Sequence, residues 1–280
     1  MTKIFTLLTL LSCTLALPLV HADTHSNPDK QPGDIFHYPH GARNAVSLTF
    51  DDARVSQLDV AVPILNKHGV RGTFYVMPDP VRERLNDWRK VVAAGHELGN
   101  HTQSHLCTGN FAWLRAQGKG LEQVDLDWLE QDILKTSRFL KTQLGVTAQS
   151  FAYPCGNTFV GRGVQVKSYV PLIAKHFSSG RTWLDETANN PTYLDFAQLT
   201  GIRMDGMRFE ELKTMIEALR EDNKWIILAG HDVGENGLYS VDAEVLSQLI
   251  HYLKEPKNGF WLETVDKVSH YIKMHRKQPE

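Results

Sequence analysis

Residues 45–53 read AVSLTFDDA, a short apolar run with β-branched members that ends on two adjacent aspartates. The run is too short for a helix and fits a strand buried on both faces. The acids then stand at its C-terminal end. Three further stretches repeat the layout. ELGN (97–100) leads into HTQSH (101–105), SFAY (150–153) into PCG (154–156), and WIILAG (225–230) into HDVG (231–234).

Helical patterns separate these runs. LDVAVPILNKHGV (58–70), RERLNDWRKVVAAGH (82–96), LEQVDLDWLEQDILKTSRFLKTQLG (121–145), MRFEELKTMIEALREDN (207–223), VDAEVLSQLIHYLK (241–254) and VDKVSHYIKMH (265–275) carry apolar residues at helical spacing. VKSYVPLIAKHF (166–177) is a further helix, with a kink expected at Pro171. GTFYVM (72–77) and GFWLET (259–264) read as strands. Strand–helix alternation predicts an α/β fold, a distorted (β/α) barrel of parallel strands with outer helices, forming a single domain over residues 41–280. In such a barrel the C-terminal strand ends share one rim, where chemistry is done. The polar clusters all fall there.

The N-terminal MTKIFTLLTLLSCTLALPLVHA (1–22) has the layout of a signal peptide, with cleavage expected after Ala22. An uncleaved anchor is the alternative, but the apolar run is short for a span of about 20 residues. Lipidation at Cys13 is a weaker alternative, because the apolar run continues past it. Residues 23–40 form a polar, Pro-rich leader. The expected location is therefore periplasmic or secreted, with no membrane span in the mature chain.

Lys and Arg number 30 and Asp and Glu 32 in 280 residues, a formal net charge of −2. No basic run provides an electrostatic footprint for nucleic acid, so none is expected as a partner. After processing, Cys107 and Cys155 remain. They form one bridge or are two buried small apolar residues.

The rim residues suggest metal chemistry. Asp52, His101 and His105 offer one carboxylate and two imidazoles, three ligands with an open fourth position. The spacing of four would put both histidines on one face of a helical segment. Asp51, beside the ligand Asp52, is positioned to take a proton from a water; the alternative is a helix N-cap. His231 is the candidate general acid, with Asp232 available to orient it. Thr102 and Ser104 are expected to hold the histidine loop. Pro154 and Gly156 shape a turn that would aim the Cys155 backbone N–H at an oxyanion.

In this order, VSLTFDDA, GHELGNHTQSH, FAYPCG and ILAGHDVG resemble the polysaccharide deacetylase family, the nodulation-factor deacetylase homology domain, from about Ala45 to the C-terminal WLETVDKVSHYI. The resemblance implies a metal-dependent hydrolase that removes acetyl groups from sugars. It implies Asp51 as base, Asp52, His101 and His105 as ligands of one divalent ion, usually zinc, the Cys155 N–H at the oxyanion and His231 as acid. The family commonly has an arginine in the third motif to brace the base. That place is Ala152 here, and Arg181, in SSGRTW (178–183), is the expected replacement. The Trp/Asp pattern of the fourth motif is loosely met by Trp183 and Asp185. Leu228 stands three residues before His231, displaced from the usual leucine position. Pro154, Trp183 and Leu228 are candidate substrate contacts, and Trp113 and Tyr239 are further candidates for stacking on a sugar ring.

The implied partner is an acetylated polysaccharide or oligosaccharide. N-acetyl groups of an amino sugar fit best, because an amine leaves poorly unless protonated. An O-acetyl ester on a xylan-like chain is the enzymatic alternative. A non-catalytic carbohydrate-binding protein on the same fold is the alternative of another class.

Overall fold

The central strand β1 spans Asn44–Asp51 and is buried at every position. That burial is why it reads as a near-continuous apolar run rather than an alternation. The structure is a computed structural model and describes residues 36–234 and 237–276. The expected signal peptide and the leader up to residue 35 lie outside the described residues.

Seven further strands join β1 in one sheet: β2 Thr73–Val76, β3 Glu97–Asn100, β4 Ser150–Ala152, β5 Ser179–Arg181, β6 Ile202–Arg203, β7 Trp225–Gly230 and β8 Phe260–Leu262. Their order is β5-β4-β3-β2-β1-β7-β6, and every pairing is parallel. One edge of β1 pairs with β7, with Leu48 opposite Leu228. Its other edge is shared. The first half pairs with β8 at Ala45–Trp261, and the second half with β2 at Thr49–Thr73.

The sheet curls until its two ends meet. Leu199, just ahead of β6, bridges Arg181 of β5 in parallel. Its N–H donates to Gly180 O at 2.7 Å, and its carbonyl accepts from Thr182 N at 2.8 Å. Two residues on, Gly201 lies against the opposite strand. A Cβ there would stand 2.4 Å from Thr182 O and 2.5 Å from Arg181 Cδ, so only glycine closes the barrel at this point. The result is the distorted (β/α) barrel that the alternation implied.

The helices pack outside: α1 Val62–Lys67, α2 Pro78–Glu83, α3 Leu85–Ala93, α4 Ala112–Ala116, α5 Leu126–Phe139, α6 Val170–His176, α7 Phe209–Leu219, α8 Ala243–Lys254 and α9 Val265–His275. Asp125 caps α5 by accepting from Trp128 N at 2.8 Å, and Asp242 caps α8 through Glu244 N and Val245 N. Phe50 stacks on Phe74 across β1 and β2, and Trp88 of α3 meets Phe74 edge-on. Each fully buried large side chain here contributes on the order of 2 kcal/mol.

Two helices depart from expectation. The 166–177 pattern is not one kinked helix. Pro171 falls in the first turn of α6, where its missing N–H costs nothing. Lys167–Ser168 instead pairs antiparallel with Phe159–Val160. The 82–96 pattern breaks at Arg84, where φ −128 and ψ 37 leave the helical region between α2 and α3. Among the described residues no helix is long and apolar enough to cross a membrane.

Candidate active site

The rim at the C-terminal strand ends forms a cleft of about 960 Å³ that contains Asp51, Asp52, His101, His105, Cys155, Trp183 and His231. The backbone there is forced. Asp52 (φ 77), Ala53 (φ 55), Thr102 (φ 64), His105 (φ 46), Cys155 (φ 54) and Leu184 (φ 65) are left-handed non-glycine residues, six of the eight among the described residues. Each costs about 1 kcal/mol or more and persists only where surrounding contacts over-determine it.

The first of these turns separates the two aspartates. Asp51 completes β1, and Asp52 turns left-handed directly after it. Their carboxylates therefore meet different partners. Asp52 Oδ2 accepts from Arg54 at 2.9 Å. Asp52 Oδ1 lies 3.4 Å from His101 Nε2 and 3.3 Å from His105 Nε2, and is buried with no hydrogen-bond partner.

The histidines are brought together by a loop, not by the helical face that their spacing suggested. Asn100 Oδ1 accepts from Thr102 N at 2.8 Å, and Thr102 Oγ1 from His105 N at 2.9 Å. Asp132 of α5, almost fully buried, accepts from the N–H groups of Gln103 and Ser104 and from Ser104 Oγ at 2.6 Å. Thr102 and Ser104 do hold the loop, and Asp132 is the anchor that the sequence reading did not name. Its signal was an acid on the apolar face of α5, alongside Leu129, Ile133 and Thr136.

The donor set fits a cation. The Nδ1 of His101 lies 2.9 Å from the Ala152 carbonyl, which can only accept, so the ring proton sits there. Nε2 is then a lone pair aimed at Asp52 Oδ1, another acceptor. A positive ion between them satisfies all three atoms, and the ligand atoms of Asp52, His101 and His105 lie within 4.8 Å of one another. Burial and the neighbouring His101 push His105 down to about 4. Burial alone would raise Asp52, but the neighbouring His101, His105 and His231 hold it well below the usual carboxylate range. Both shifts favour the deprotonated forms that bind metal.

Asp51 points elsewhere. Its Oδ1 accepts from the guanidinium of Arg181, which is fully buried, donates to Thr182 O at 2.9 Å and lies 4.9 Å over the Tyr75 ring. Arg181 thus braces the Asp51 carboxylate. Gln57 ties the strand ends together by donating to the carbonyls of Asp51 and His231.

The partner of His231 is not Asp232. Asp232 accepts from Ser56 Oγ at 2.7 Å and from Arg54 at 3.3 Å. Asp205, fully buried just past β6, takes the role: its Oδ2 lies 2.6 Å from His231 Nδ1, and its Oδ1 accepts from His231 N at 3.0 Å. Burial opposes charging His231, yet its hydrogen bond to Asp205 and the nearby Asp51 and Asp52 raise its pKa. Trp183 meets the ring edge-on at 4.9 Å and Tyr239 at 5.5 Å. Asp185 does not reach it; its carboxylate accepts from Thr182 Oγ1 and Gly201 N.

Cys155 is bridged to Cys107, two residues past His105, so the bridge ties the histidine loop to the turn after β4. Pro154 and Leu228 are corrected as substrate contacts. Both are buried, Leu228 fully, and neither lines the cleft; the carbonyl of Leu228 accepts from Thr49 Oγ1. Trp113, Trp183 and Tyr239 do line it, with Phe111, Leu184 and Leu238.

Residues 38–166 match the family model for polysaccharide deacetylase. This region is similar to the polysaccharide deacetylase family. A curated relative, the peptidoglycan-N-acetylglucosamine deacetylase of Bacillus cereus, is 29% identical over 114 residues, covering 40% of this chain and 36% of that protein. The chain spans between 4% and 36% of the length of the curated relatives it matches. Among solved structures, a Mycobacterium smegmatis protein described as a polysaccharide deacetylase superposes with a TM-score of 0.62 at 15% identity, covering 89% of this chain and 99% of that one. A Bacillus anthracis structure described as a pseudoenzyme superposes at 0.52 and 18% identity, covering 81% of this chain and 65% of that one. The deacetylase fold therefore does not by itself carry activity, and the site has to be judged residue by residue.

Proposed function

We propose that the chain is an exported, metal-dependent hydrolase that removes acetyl groups from a carbohydrate, with N-acetyl groups of an amino sugar as the preferred substrate. One observation carries this reading. A triad of mutually facing acceptors, the buried His101 with the half-buried Asp52 and His105, shares a cleft with an arginine-held carboxylate and a carboxylate-held histidine. The disulfide supports an oxidising compartment.

Asp52, His101 and His105 would hold a divalent ion, zinc by donor type. Bound there, the ion would lower the pKa of a water and polarise the acetyl carbonyl. Asp51 accepts the proton of the attacking water, held in place by Arg181. The Cys155 backbone N–H donates to the oxygen that gains charge, and Pro154 and Gly156 fix that turn. His231, kept protonated by Asp205, delivers its proton to the departing nitrogen. Each well-placed acid or base contributes about 10²–10⁴-fold. The Asp205–His231 pair favours amide over ester, since an alkoxide leaves with less need of an acid.

Acetate release is the test. The purified protein is assayed on N-acetylglucosamine oligomers and on acetylated xylan, before and after chelation and zinc return. Zinc-restored release from the oligomers supports the reading, and release from xylan alone shifts it to an esterase. No release from either substrate, with one zinc bound per chain, would point to a different glycan or to a non-catalytic binding role.

A further inference from the structure

Among the described residues, the charged groups of the cleft are compensated with one exception. Arg181 answers Asp51, Arg54 bridges Asp52 and Asp232, and Asp205 answers His231. Arg203 lines the same cleft, is exposed, and makes no ion pair or side-chain hydrogen bond among the described residues. Among the described residues no lysine lines the cleft, and its other walls are largely aromatic and aliphatic. A single uncompensated guanidinium in such surroundings leaves a positive site facing the substrate.

Its placement says which part of the substrate it faces. Arg203 is the last residue of β6 and pairs in register with Ala229 of β7, two residues before His231. Asp205, two residues further along, holds the His231 ring, while Met204 between them is fully buried. Arg203 and His231 line the same cleft, and Asp205 follows Arg203 on the turn that leaves β6. Arg203 therefore stands on the wall that carries the proton donor, beside the sugar that keeps the amine after acetate departs.

We propose that Arg203 is a specificity-determining residue that binds a carboxylate on the acetylated sugar or its neighbour, so that the preferred substrate is an acidic glycan. The inference rests on the hydrolase reading for its orientation. A guanidinium presents paired N–H donors that match the two oxygens of a carboxylate. Such a contact is made equally in the bound and reacting states, so it acts on KM more than on kcat.

Three matched substrates test it: a neutral N-acetylglucosamine tetramer, the same tetramer carrying a C6 carboxylate, and one carrying a carboxyalkyl ether at O3. Affinity is read by calorimetry on the zinc-loaded protein, and turnover by acetate release. The expected result is tighter binding of one acidic tetramer by about tenfold, weakening as salt rises. The position of the preferred carboxylate tells the two sources apart. Arg203→Ala erases the preference, Arg203→Glu reverses it, and Arg203→Lys keeps part of it, with the change in KM. Equal affinity for all three tetramers, or the same ratio in wild type and Arg203→Ala, overturns the proposal. Calorimetry keeps the two readings separate. Discriminating binding without acetate release would defeat the hydrolase and leave Arg203 in its role.

Discussion

Arg181, the last residue of β5, reaches across the barrel interior to donate to Asp51, the last residue of β1. The two strands are not neighbours in the sheet. A buried guanidinium and a buried carboxylate thus satisfy each other at the centre of the rim, where either one alone would carry a large desolvation cost. Ala152, opposite Arg181 on β4, has only a methyl group to offer.

Arg181→Ala leaves Asp51 buried without its cation. Breaking a buried pair by removing one partner costs about 3–5 kcal/mol. The expected outcome is a lower melting temperature and a fall in kcat of about 10²-fold, with zinc affinity retained because Asp52, His101 and His105 do not touch Arg181. Arg181→Lys should recover part of the loss. Full activity in Arg181→Ala would show that Asp51 needs no brace.

Asp205→Asn isolates the proton donor. Asp205 raises the pKa of His231 against the opposing effect of burial. Asparagine still accepts from Nδ1–H but supplies no charge, so the His231 pKa falls. The alkaline limb of the kcat profile should move to lower pH, and kcat at neutral pH should drop by about 10-fold or more. An unshifted alkaline limb would remove His231 as the acid.

Much of this site is legible in the sequence because each acid or histidine follows an apolar run long enough to read. β1 and β7, with eight and six residues, announce Asp51, Asp52 and His231. β5 and β6 have three and two residues, too few to show any period. Barrel closure through Leu199 and the acid Asp205 were hidden for that reason. The adjacent Asp232 was the nearest visible acid to His231, but adjacency along a chain leaving a strand sends the two side chains apart. The His101–His105 spacing gave the right pair for the wrong reason, since left-handed turns rather than helical periodicity bring the rings together.

Metal binding can be read without catalysis. A ligand that binds only the folded state stabilises it by about 2.7 kcal/mol at a hundredfold excess over Kd. Zinc added to the chelated protein should raise the melting temperature of the wild type. His105→Ala should lose most of that rise, and Asp205→Asn should keep it. A full zinc shift in His105→Ala would place the ion elsewhere.

The Cys107–Cys155 bridge closes a stretch with a sequence separation of 48. Loop-closure entropy puts its stabilisation at about 4 kcal/mol at most. The double variant Cys107→Ser, Cys155→Ser should melt lower and bind zinc more weakly, since His105 lies two residues from one end of the bridge. Unchanged zinc affinity would mean that Asp132 and Thr102 alone fix the histidine loop.

Glu97 gives the fold a pH dependence at the opposite end of the barrel. It begins β3 and accepts from Thr73 Oγ1 at 2.8 Å, from Asp266 N at 2.9 Å and from Ser150 Oγ. Burial pushes its pKa up to about 7, and those three hydrogen bonds only partly offset the rise. The folded state therefore holds a proton that the unfolded chain, with an ordinary glutamate, releases near pH 4.5. Stability should be greatest below that value and fall as the pH rises through about 7, by about 3 kcal/mol at most. Glu97→Gln mimics the protonated form and should flatten the dependence of melting temperature on pH between 5 and 8. If the variant keeps the wild-type slope, the hydrogen bonds to Glu97 outweigh its burial, and another group sets the pH response.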